Sequence, residues 1–358
     1  MKYVMLKDVC TIKMGQSPDS DSYNDNGEGV PFFQGNADFG ERYPVTRKWF
    51  STPTKMAVPD DILISVRAPI GAMNYAKEEC CIGRGLAALT PDKTKVSPEF
   101  IFWLLKGKNA ELNSKGTGST FKAIGRKVLE ETKVPDIPLE KQLEYSGTLE
   151  KVYAVIQHRK SELQMLDNLI KARFVEMFGD PIINSRHLET KDLKDVMILK
   201  AGDFTVASDI ADEQTETNPY PCYGGNGIRG YVSEYNQEGD YSLVGRQGAL
   251  SGNVQYASGK FKNTEHALLV TPIVEMNSIW LHQLLLNLDL KRYQTGAAQP
   301  GLSVKNLQEI QVILVPIDEQ NRFAEFVKRT DKSKFKESCY IKYKILKIRH
   351  HQIYLLRK

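Results

Sequence analysis

Side chains that can bind the edges of nucleic-acid bases cluster in a few glycine- and asparagine-rich segments of this chain. Arginine can donate two parallel hydrogen bonds to guanine, and asparagine or glutamine can pair in the same way with adenine. Taken one at a time, such residues are more often surface or capping residues. As a group they predict contacts to base edges. The candidates are Gln34, Asn36, Arg67 and Arg84, and further along the chain Asn226, Arg229, Arg246, Gln247 and His266.

A second group of candidates lies in the segment K-G-T-G-S-T-F-K-A-I (115–124). Glycines, then a serine and a threonine, then a helical pattern predict a helix N-terminus that can hold a phosphate. An ordinary N-cap without a ligand explains the pattern equally well. The candidates here are Lys115, Ser119, Thr120 and Lys122, joined by Gln299 from the segment T-G-A-A-Q-P-G-L-S-V (295–304).

Signatures of catalysis are absent from the sequence. It has no G-x-x-x-x-G-K-[ST] phosphate loop, no H-E-x-x-H zinc motif and no G-x-S-x-G nucleophile elbow. Asn218-Pro219-Tyr220 resembles part of the N-P-P-Y loop of amino-methyltransferases, but the second proline and a preceding glycine-rich cofactor turn are missing. A turn that enters a strand is the favoured interpretation. We expect no catalytic residue, no metal site and no cofactor on this chain.

A long helix is expected to position these segments. Apolar residues recur at steps of three and four, which is the heptad spacing of a coiled coil, and Arg159 and Arg173 interrupt the pattern. Pro138 suits a first helical turn, and Gly179 followed by Pro181 suits a helix stop. About 40 residues of helix span roughly 60 Å. The expected seam residues are Leu149, Val152, Ile156, Leu163, Leu166 and Ile170.

A second helix in the same chain is the expected partner. The segment V-P-D-I-P-L-E-K-Q (134–142) recurs as V-I-L-V-P-I-D-E-Q (312–320), and a helical pattern follows it to the C-terminus. Two such helices in one chain favour an antiparallel coiled coil. The apolar stripe of the second helix comprises Ile341, Ile345, Ile348 and Leu355.

The two halves of the chain form a tandem repeat. Besides the match of 134–142 with 312–320, other segments match in the same order along the two halves. Residues 61–67 recur as 240–246, and this alignment matches Arg67 with Arg246. Two matched arginines fit a shared structural ion pair as well as two base contacts. Because the glycine-rich loops differ while the framework agrees, the pattern indicates one scaffold that presents two surfaces. Pseudo-two-fold symmetry is therefore expected.

Each repeat predicts a globule of mixed α and β structure. Residues Asp61–Val66 and Tyr241–Val244 have the composition of strands bounded by turns. Residues Ser97–Lys106 and Ser278–Leu288 are expected to form buried helices with serine N-caps.

The amino-acid composition is typical of a globular protein. Its 358 residues are 41% hydrophobic and 26% charged, which leaves room for two domains and two helices. No run of about 18 apolar residues occurs, so no membrane span is expected. The five cysteines are odd in number and form no C-x-x-C, which favours free thiols in the cytoplasm.

Net charge offers little support for nucleic-acid binding by bulk attraction. The chain carries +4, but residues 328–358 hold 11 Lys/Arg against 2 Asp/Glu, so the remainder is net negative. Such a basic tail is more often a solvated helix face than a specific site. Any binding of a polyanion by the globules must therefore use local patches.

The whole chain resembles the DNA-specificity subunit of type I restriction-modification systems. L-K-D-V-x-x-I/L-K-x-G opens each half, at 6–15 and 193–202. T-G-S-T-F-K-A-I and T-G-A-A-Q-P-G-L-S-V follow in the two halves. I-P-L-E-K-Q and V-P-I-D-E-Q precede the helices, and F-V-E-M-F-G-D-P closes the first of them. The second helix departs from the pattern because it ends in L-L-R-K without Gly-Asp-Pro.

This resemblance implies an α+β fold in which two target-recognition domains, 1–137 and 181–315, alternate with spacer helices, 138–180 and 316–358. Each domain is expected to read one half of a split double-stranded DNA target. The helices are expected to space the halves and to dock two methyltransferase subunits. Translocase/endonuclease subunits join for cleavage, and S-adenosylmethionine, ATP and Mg are expected on those partners only.

Two other functions are compatible with parts of the sequence. A self-contained DNA-modifying enzyme would require a cofactor loop and a catalytic motif, and neither occurs. A coiled-coil scaffold or adaptor that never touches DNA would use the helices alone. A mobility-shift assay with and without a methyltransferase partner distinguishes the adaptor from the DNA-binding subunit.

Overall fold

The chain forms two compact units. A computed structural model describes residues 2–17, 23–118, 122–296, 300–334 and 341. The first unit comprises the described residues up to Lys160 together with Ile341, and the second comprises those from Ser161 onward. Every helix in these ranges is too short or too polar for a membrane span.

The described part of the first unit contains three sheets. Its strands are β1 (Tyr3–Met5), β2 (Cys10–Met14), β3 (Tyr23–Asn24), β4 (Val30–Phe33), β5 (Trp49–Phe50), β6 (Met56–Ala57), β7 (Ile62–Ser65), β8 (Met73–Tyr75), β9 (Cys80–Ile82), β10 (Leu86–Pro91) and β11 (Lys133–Pro135). They assemble in the orders β1-β11, β2-β10-β7-β8 and β3-β5-β4-β9-β6. The helices are α1 (Leu6–Val9), α2 (Pro98–Gly107), α3 (Asn109–Ser114), α4 (Arg126–Glu130) and the first part of α5 (Leu139–Phe178).

The described part of the second unit contains two sheets. Its strands are β12 (Thr190–Asp192), β13 (Met197–Ala201), β14 (Tyr220–Gly224), β15 (Gly227–Val232), β16 (Gln237–Gly245), β17 (Val254–Asn263), β18 (Ala267–Pro272) and β19 (Gln311–Ile313). They assemble as β12-β19 and β13-β18-β16-β17-β14-β15. The helices besides the end of α5 are α6 (Leu193–Val196), α7 (Ser278–Asn287), α8 (Val304–Gln308) and α9 (317–334).

The two units share one strand connectivity. The order β2-β10-β7-β8 of the first unit matches β13-β18-β16-β17 of the second, and β1-β11 matches β12-β19. Strand β4 pairs parallel with β9, as β14 does with the end of β17. The expected architecture of two similar α+β domains with long helices is therefore confirmed.

Matched glycines explain part of the repeated opening motif. A Cβ on Gly15 would overlap the carbonyl oxygen of Gly83, and a Cβ on Gly202 would overlap that of Asn263. The chain must leave β2 and β13 in close contact with a neighbouring backbone. Only glycine permits such an approach, which accounts for the last residue of the motif.

Helix α5 is one uninterrupted helix of 40 residues, as the heptad pattern predicts. It ends at Phe178, and the next residue, Gly179, has a φ of +78°, the left-handed conformation typical of a residue just beyond a helix. Three of the expected seam residues, Leu149, Ile156 and Ile170, are buried. Leu149 packs in the core of the first unit and Ile170 in that of the second. The half-buried seam residues are Val152, Leu163 and Leu166.

Helices α5 and α9 run antiparallel where both are described. The rings of Phe174 and Phe323 lie 5.5 Å apart between centroids, and Lys334 forms a 2.7 Å ion pair with Asp167. The contacting residue on α9 therefore rises in number as that on α5 falls, so the two helices run in opposite directions, as expected. Beyond this stretch, Ile341 is helical and buried. The stripe residues Ile345, Ile348 and Leu355 lie outside the described residues.

Two buried glutamines fasten the long helices to their units. Gln142 is 2% exposed; its amide nitrogen donates to the carbonyls of Ile137 (2.9 Å) and Lys95 (3.2 Å), and its Oε1 accepts from the Ser97 amide (3.0 Å). The first turn of the long helix lies beside the segment that precedes a shorter helix, here α2. One glutamine side chain therefore binds the start of the long helix and the start of the shorter one. This explains the glutamine in the repeated E-K-Q and D-E-Q segments.

The second unit repeats this anchor. Gln320 is 3% exposed, its amide nitrogen donates to the Val315 carbonyl (2.8 Å), and its Oε1 accepts from the Asn277 amide (2.8 Å). Position 277 therefore corresponds to position 97. The expected cap of α7 was wrong by one residue, because the Asn277 side chain accepts from the Ile279 and Trp280 amides in place of Ser278.

We predict that Gln142→Met and Gln320→Met each lower the urea midpoint of unfolding. Either change leaves buried backbone groups unpaired, and each such group costs about 1–3 kcal/mol. Circular dichroism against urea concentration measures the loss. Gln164→Met, at an exposed position of α5, is the control and should leave the midpoint unchanged. Equal midpoints for all three variants would contradict the anchoring role.

We predict a second stability effect from His282 on α7. Burial lowers the pKa of its imidazole to about 4, with opposite influences from Asp331 and Lys334. Because the unfolded chain binds this proton near pH 6.5, stability should be present above that pH and be lost as pH falls toward 4. The loss is roughly 3 kcal/mol at most. The free energy of unfolding, measured between pH 7 and 4, should change less with pH in His282→Gln than in the unsubstituted protein. An unchanged pH dependence in that variant would refute the assignment.

Candidate nucleic-acid interface

Three loops of the first unit meet at one edge of its central sheet. Strand β7 runs on to Arg67, and the Ala68 amide donates to the Lys122 carbonyl (3.0 Å). Thr117 and Ala123 close a hairpin by exchanging two backbone hydrogen bonds of 2.9 Å. The Val66 amide donates to the Gly85 carbonyl, next to Arg84 (2.9 Å). The exposed side chains of Arg67, Arg84 and Lys122 therefore stand on neighbouring backbone segments.

The loop after β4 joins the same edge. The Gln34 carbonyl accepts from the Gly85 amide (3.2 Å), and Asp38 Oδ2 accepts from the Gln34 amide (2.8 Å). Because backbone atoms make these bonds, the exposed Gln34 side chain is left available for a ligand. Asn36 follows at the start of a short 3-10 helix, Asn36–Asp38. Beside Gln34 lies a cavity of about 410 Å³, and its lining residues are Tyr23, Phe32, Gln34, Asp38, Arg47 and Lys48.

Lys115 is engaged within its own helix. Its Nζ lies 2.6 Å from Glu111 Oε1, and Lys108 and Lys115 together lower the pKa of Glu111 by hydrogen bonding. Ser119 and Thr120 lie outside the described residues, as does Gln299 in the second unit. The helix expected directly after Thr120 begins only at Arg126, with Gly125 as its N-cap. Residues 122–124 instead make backbone hydrogen bonds to Val66, Ala68 and Thr117, which prevents an earlier helical turn.

The second unit brings Arg246, Gln247 and His266 together at the corresponding edge. The Arg246 amide donates to the His266 carbonyl (3.1 Å), and His266 Nδ1 lies 2.9 Å from Gln247 Oε1. His266 Nε2 lies 3.0 Å from Glu265 Oε1. Both neighbours offer oxygen atoms that can accept a hydrogen bond from a ring nitrogen. His266 thus fixes the orientation of the Gln247 amide.

The remaining polar candidates of the second unit border the β14–β15 hairpin. Asn226 Oδ1 accepts from Asn253 Nδ2 (2.8 Å). The aliphatic part of Arg229 lies over Gly224, where an added Cβ would be only 2.5 Å from Arg229 Cδ. Within the described ranges, Arg229 and Arg246 have no carboxylate at ion-pair distance. Asn253 and Glu265, which also make these contacts, carry no repeat signal that could have identified them from the sequence.

Backbone pairing corrects the expected match between Arg67 and Arg246. The amides of Val66 and Arg246 make equivalent bonds, to the carbonyls of Gly85 and His266. The Ala68 and Gly248 amides likewise bond the carbonyls of Lys122 and Pro300. Arg67 therefore corresponds to Gln247. Aligning the two identical arginines had placed the repeats one residue out of register. The backbone hydrogen bonds define the correct alignment of the two units.

The corrected register removes the proposed shared ion pair and shows a contrast in charge. Arg67 has no carboxylate within ion-pair distance among the described residues. Arg84 corresponds to Glu265, since each precedes the paired carbonyl of Gly85 or His266. The first edge thus presents two arginines where the second presents a glutamine and a glutamate. The matching G-N pairs at 35–36 and 225–226, after strands β4 and β14, were a repeat signal that the sequence analysis did not use.

Among the described residues, no side-chain cluster suits a metal ion and no cysteine thiol is exposed. No group of three His, Cys, Asp or Glu side chains there could hold a metal ion. The free thiols of Cys10, Cys80, Cys81 and Cys222 are all buried. Burial raises the pKa of Cys10 and Cys80 to about 12, so these thiols are not reactive nucleophiles at neutral pH.

Comparison with known proteins places the chain in a family. The sequence model for the type I restriction modification DNA specificity domain matches residues 1–166 and 186–339, which is most of the chain. The two matched segments fall one in each half of the sequence repeat. The protein belongs to this family of DNA-specificity domains, as its sequence motifs suggested.

Individual relatives carry similar names. The putative type I restriction enzyme MjaX specificity subunit of Methanocaldococcus jannaschii is 43% identical over 160 residues, covering 45% of this chain and 38% of that protein. The type I restriction enzyme EcoprrI specificity subunit of Escherichia coli is 40% identical over 157 residues, covering 42% and 39%. The matched part of the chain thus spans less than two fifths of each relative.

A solved structure supports the fold. The S subunit of a type-I restriction-modification system from M. genitalium aligns over 99% of this chain and 95% of its own, with a TM-score of 0.58. Its sequence identity of 17% shows a shared fold alone.

We predict that Gln247 and His266 act as one unit in DNA binding. Replacing either by alanine should weaken binding, and the double variant should lose little more than one single variant. A coupling free energy of about 1 kcal/mol is expected for contacting residues. Fluorescence anisotropy with the cognate DNA measures it. Gln247→Ala combined with Arg84→Ala is the control and should be additive; additivity in both pairs would contradict the link.

Proposed function

We propose that this protein is the non-catalytic DNA-specificity subunit of a type I restriction-modification complex. Each compact unit reads one half of a bipartite double-stranded DNA target, with 1–137 and 181–315 as the recognition domains. The spacer helices, 138–180 and 316–358, set the gap between the halves. Family membership and the names of the relatives support this assignment.

One observation carries the proposal of two independent half-sites. Equivalent backbone frames hold different side chains at equivalent edge positions: Arg67 against Gln247, and Arg84 against Glu265. Arginine is suited to guanine, glutamine to adenine and glutamate to the amino group of cytosine. Two copies of one scaffold with different donor and acceptor patterns fit two different base sequences.

The local charge distribution agrees with this role. The edge of the first unit carries Arg67, Arg84 and Lys122 with no ion pair to a carboxylate in the described residues. Positive side chains at a polar edge supply phosphate contacts that position the duplex, while base contacts specify the sequence. Ser119 and Thr120, which lie between Thr117 and Ala123 in the sequence and outside the described residues, are proposed as further contacts to the DNA.

Partner subunits are proposed to supply the chemistry. Two methyltransferase subunits dock on the spacer helices and modify an adenine that has left the duplex. Translocase/endonuclease subunits join them for cleavage. S-adenosylmethionine, ATP and Mg bind on these partners, consistent with a chain whose sequence has no catalytic motif.

We predict that substitutions in one unit relax only one half-site. Gln34→Ala or Arg84→Ala should relax the first half-site, and Asn226→Ala or Gln247→Ala the second, each by about 1–3 kcal/mol at one base position. Methylome sequencing of a host that expresses each variant with its methyltransferase partner measures the effect.

Phosphate contacts and base contacts give different outcomes. Loss of a phosphate contact weakens binding to all sequences, and in a DNA-binding titration it lowers the dependence of log K on log salt concentration by about one. Lys127→Ala, at an exposed position of helix α4 where the side chain pairs with Glu131, is the control. Equal loss at both half-sites for all four variants would refute independent reading. Absence of any bipartite methylation with the unsubstituted protein would refute the proposed function itself.

A further inference from the structure

The loop that carries Gln34 and Asn36 is fastened to the long helix by one arginine. We propose that Arg42 and Glu150 are positioning residues for the first half-site: their ion pair holds loop 34–47 in the orientation that reads DNA. This inference rests on the proposed function, because the loop's ligand is taken to be the target duplex. Neither residue touches the DNA in this proposal.

The contact is built around one carboxylate oxygen. Glu150 Oε1 lies 2.7 Å from Arg42 Nη2 and accepts a second hydrogen bond, also 2.7 Å, from Trp103 Nε1. The Arg42 side chain is about one quarter exposed. A partly buried pair of this kind has a defined geometry, unlike the exposed ion pairs on the helix surfaces. It connects loop 34–47, helix α2 and helix α5 at one point.

Aromatic rings enclose the guanidinium. Its carbon lies 4.9 Å from the ring centre of Tyr75, 5.1 Å from that of Phe102 and 5.8 Å from that of Tyr153. Rings at these distances stabilise a cation through their electron-rich faces. Burial opposes the charge on Arg42, but the hydrogen bond and charge of Glu150 outweigh it and raise the Arg42 pKa. The guanidinium is thus held in place from several sides.

The loop backbone is held as tightly on the sheet side. The Arg42 carbonyl accepts from the Tyr75 amide (2.9 Å). The Asn74 side chain is 1% exposed and brackets Gly40, accepting from its amide (3.0 Å) and donating to its carbonyl (3.1 Å). Gln34, whose side chain is exposed, and Asn36, which is half-buried, lie in the first part of this loop, before Gly40 and Arg42. A change in the Arg42 contact therefore reaches them through a short stretch of chain.

Glu150 also balances a second cation. The Lys106 ammonium lies 5.0–5.4 Å from the ring centres of Phe102, Trp103 and Tyr153. Burial lowers the Lys106 pKa and Arg42 lowers it further, while Glu150 acts in the opposite direction. Without Glu150, two cations would share one aromatic cluster, and their repulsion would push the loop arginine outward.

The described residues of the second unit show no such contact. Because Gln142 corresponds to Gln320, the position of Glu150 corresponds to Lys328, which pairs instead with Glu325 on its own helix. The position of Trp103 corresponds to Gln283. The proposed positioning therefore applies to the first half-site alone. This asymmetry gives the experiment an internal control within the same molecule.

The test uses Arg42→Met and Glu150→Gln in the full chain with its methyltransferase partner. Glutamine keeps an acceptor for Trp103 but loses the charge that holds Arg42. Methylome sequencing should show discrimination at the first half-site relaxed roughly tenfold, with the second half-site unchanged. Arg126→Met removes an exposed ion pair with Glu130 in the same unit and should leave both half-sites unchanged.

A folding defect gives a different result from a loss of positioning. The double variant Arg42→Met/Glu150→Gln avoids an unpaired buried charge, and its melting by circular dichroism should stay close to that of the unsubstituted protein. It should relax the first half-site as much as either single variant. Unchanged discrimination in folded variants, or equal relaxation of both half-sites, would overturn the inference. Failure of the unsubstituted protein to direct bipartite methylation would refute the proposed function instead.

Discussion

A single buried amide at the start of each long helix is the constraint on which the two units depend. Gln142 and Gln320 are nearly inaccessible to solvent. The side-chain amide of each donates to a backbone carbonyl and accepts from a backbone amide. A buried backbone group without a partner is costly, so the helix start and the shorter helix must stay together. The orientation of each long helix against its unit follows from this one arrangement.

Backbone hydrogen bonding at the sheet edge separates fold from recognition. In both units the strands and the edge loops are joined through backbone amides and carbonyls, so the bonds that define the frame do not depend on the outward side chains. Arginine, glutamine or glutamate can occupy the same place without a change in the frame. That freedom is what a scaffold needs if its two copies are to bind different sequences.

The sequence predicted what depends on periodicity and repetition. The heptad spacing predicted a helix that the structure shows as Leu139–Phe178, and the repeat predicted two similar units. It misaligned Arg67 with Arg246, because strand register is decided by main-chain pairing that residue identity does not encode. Arg42 and Glu150 are 108 residues apart in sequence. Their contact has no local signal, since it arises only when the loop and the helix pack together.

One difference between the units affects how each can change length during evolution. In the second unit β17 is a continuous strand of ten residues that takes part in two sheet regions, whereas the first unit divides this path into β8 and β9. An insertion between β8 and β9 is absorbed by the connecting turn. A one-residue insertion within β17 would turn every following side chain to the opposite face. A change of one residue at this place therefore disturbs the second unit more than the first.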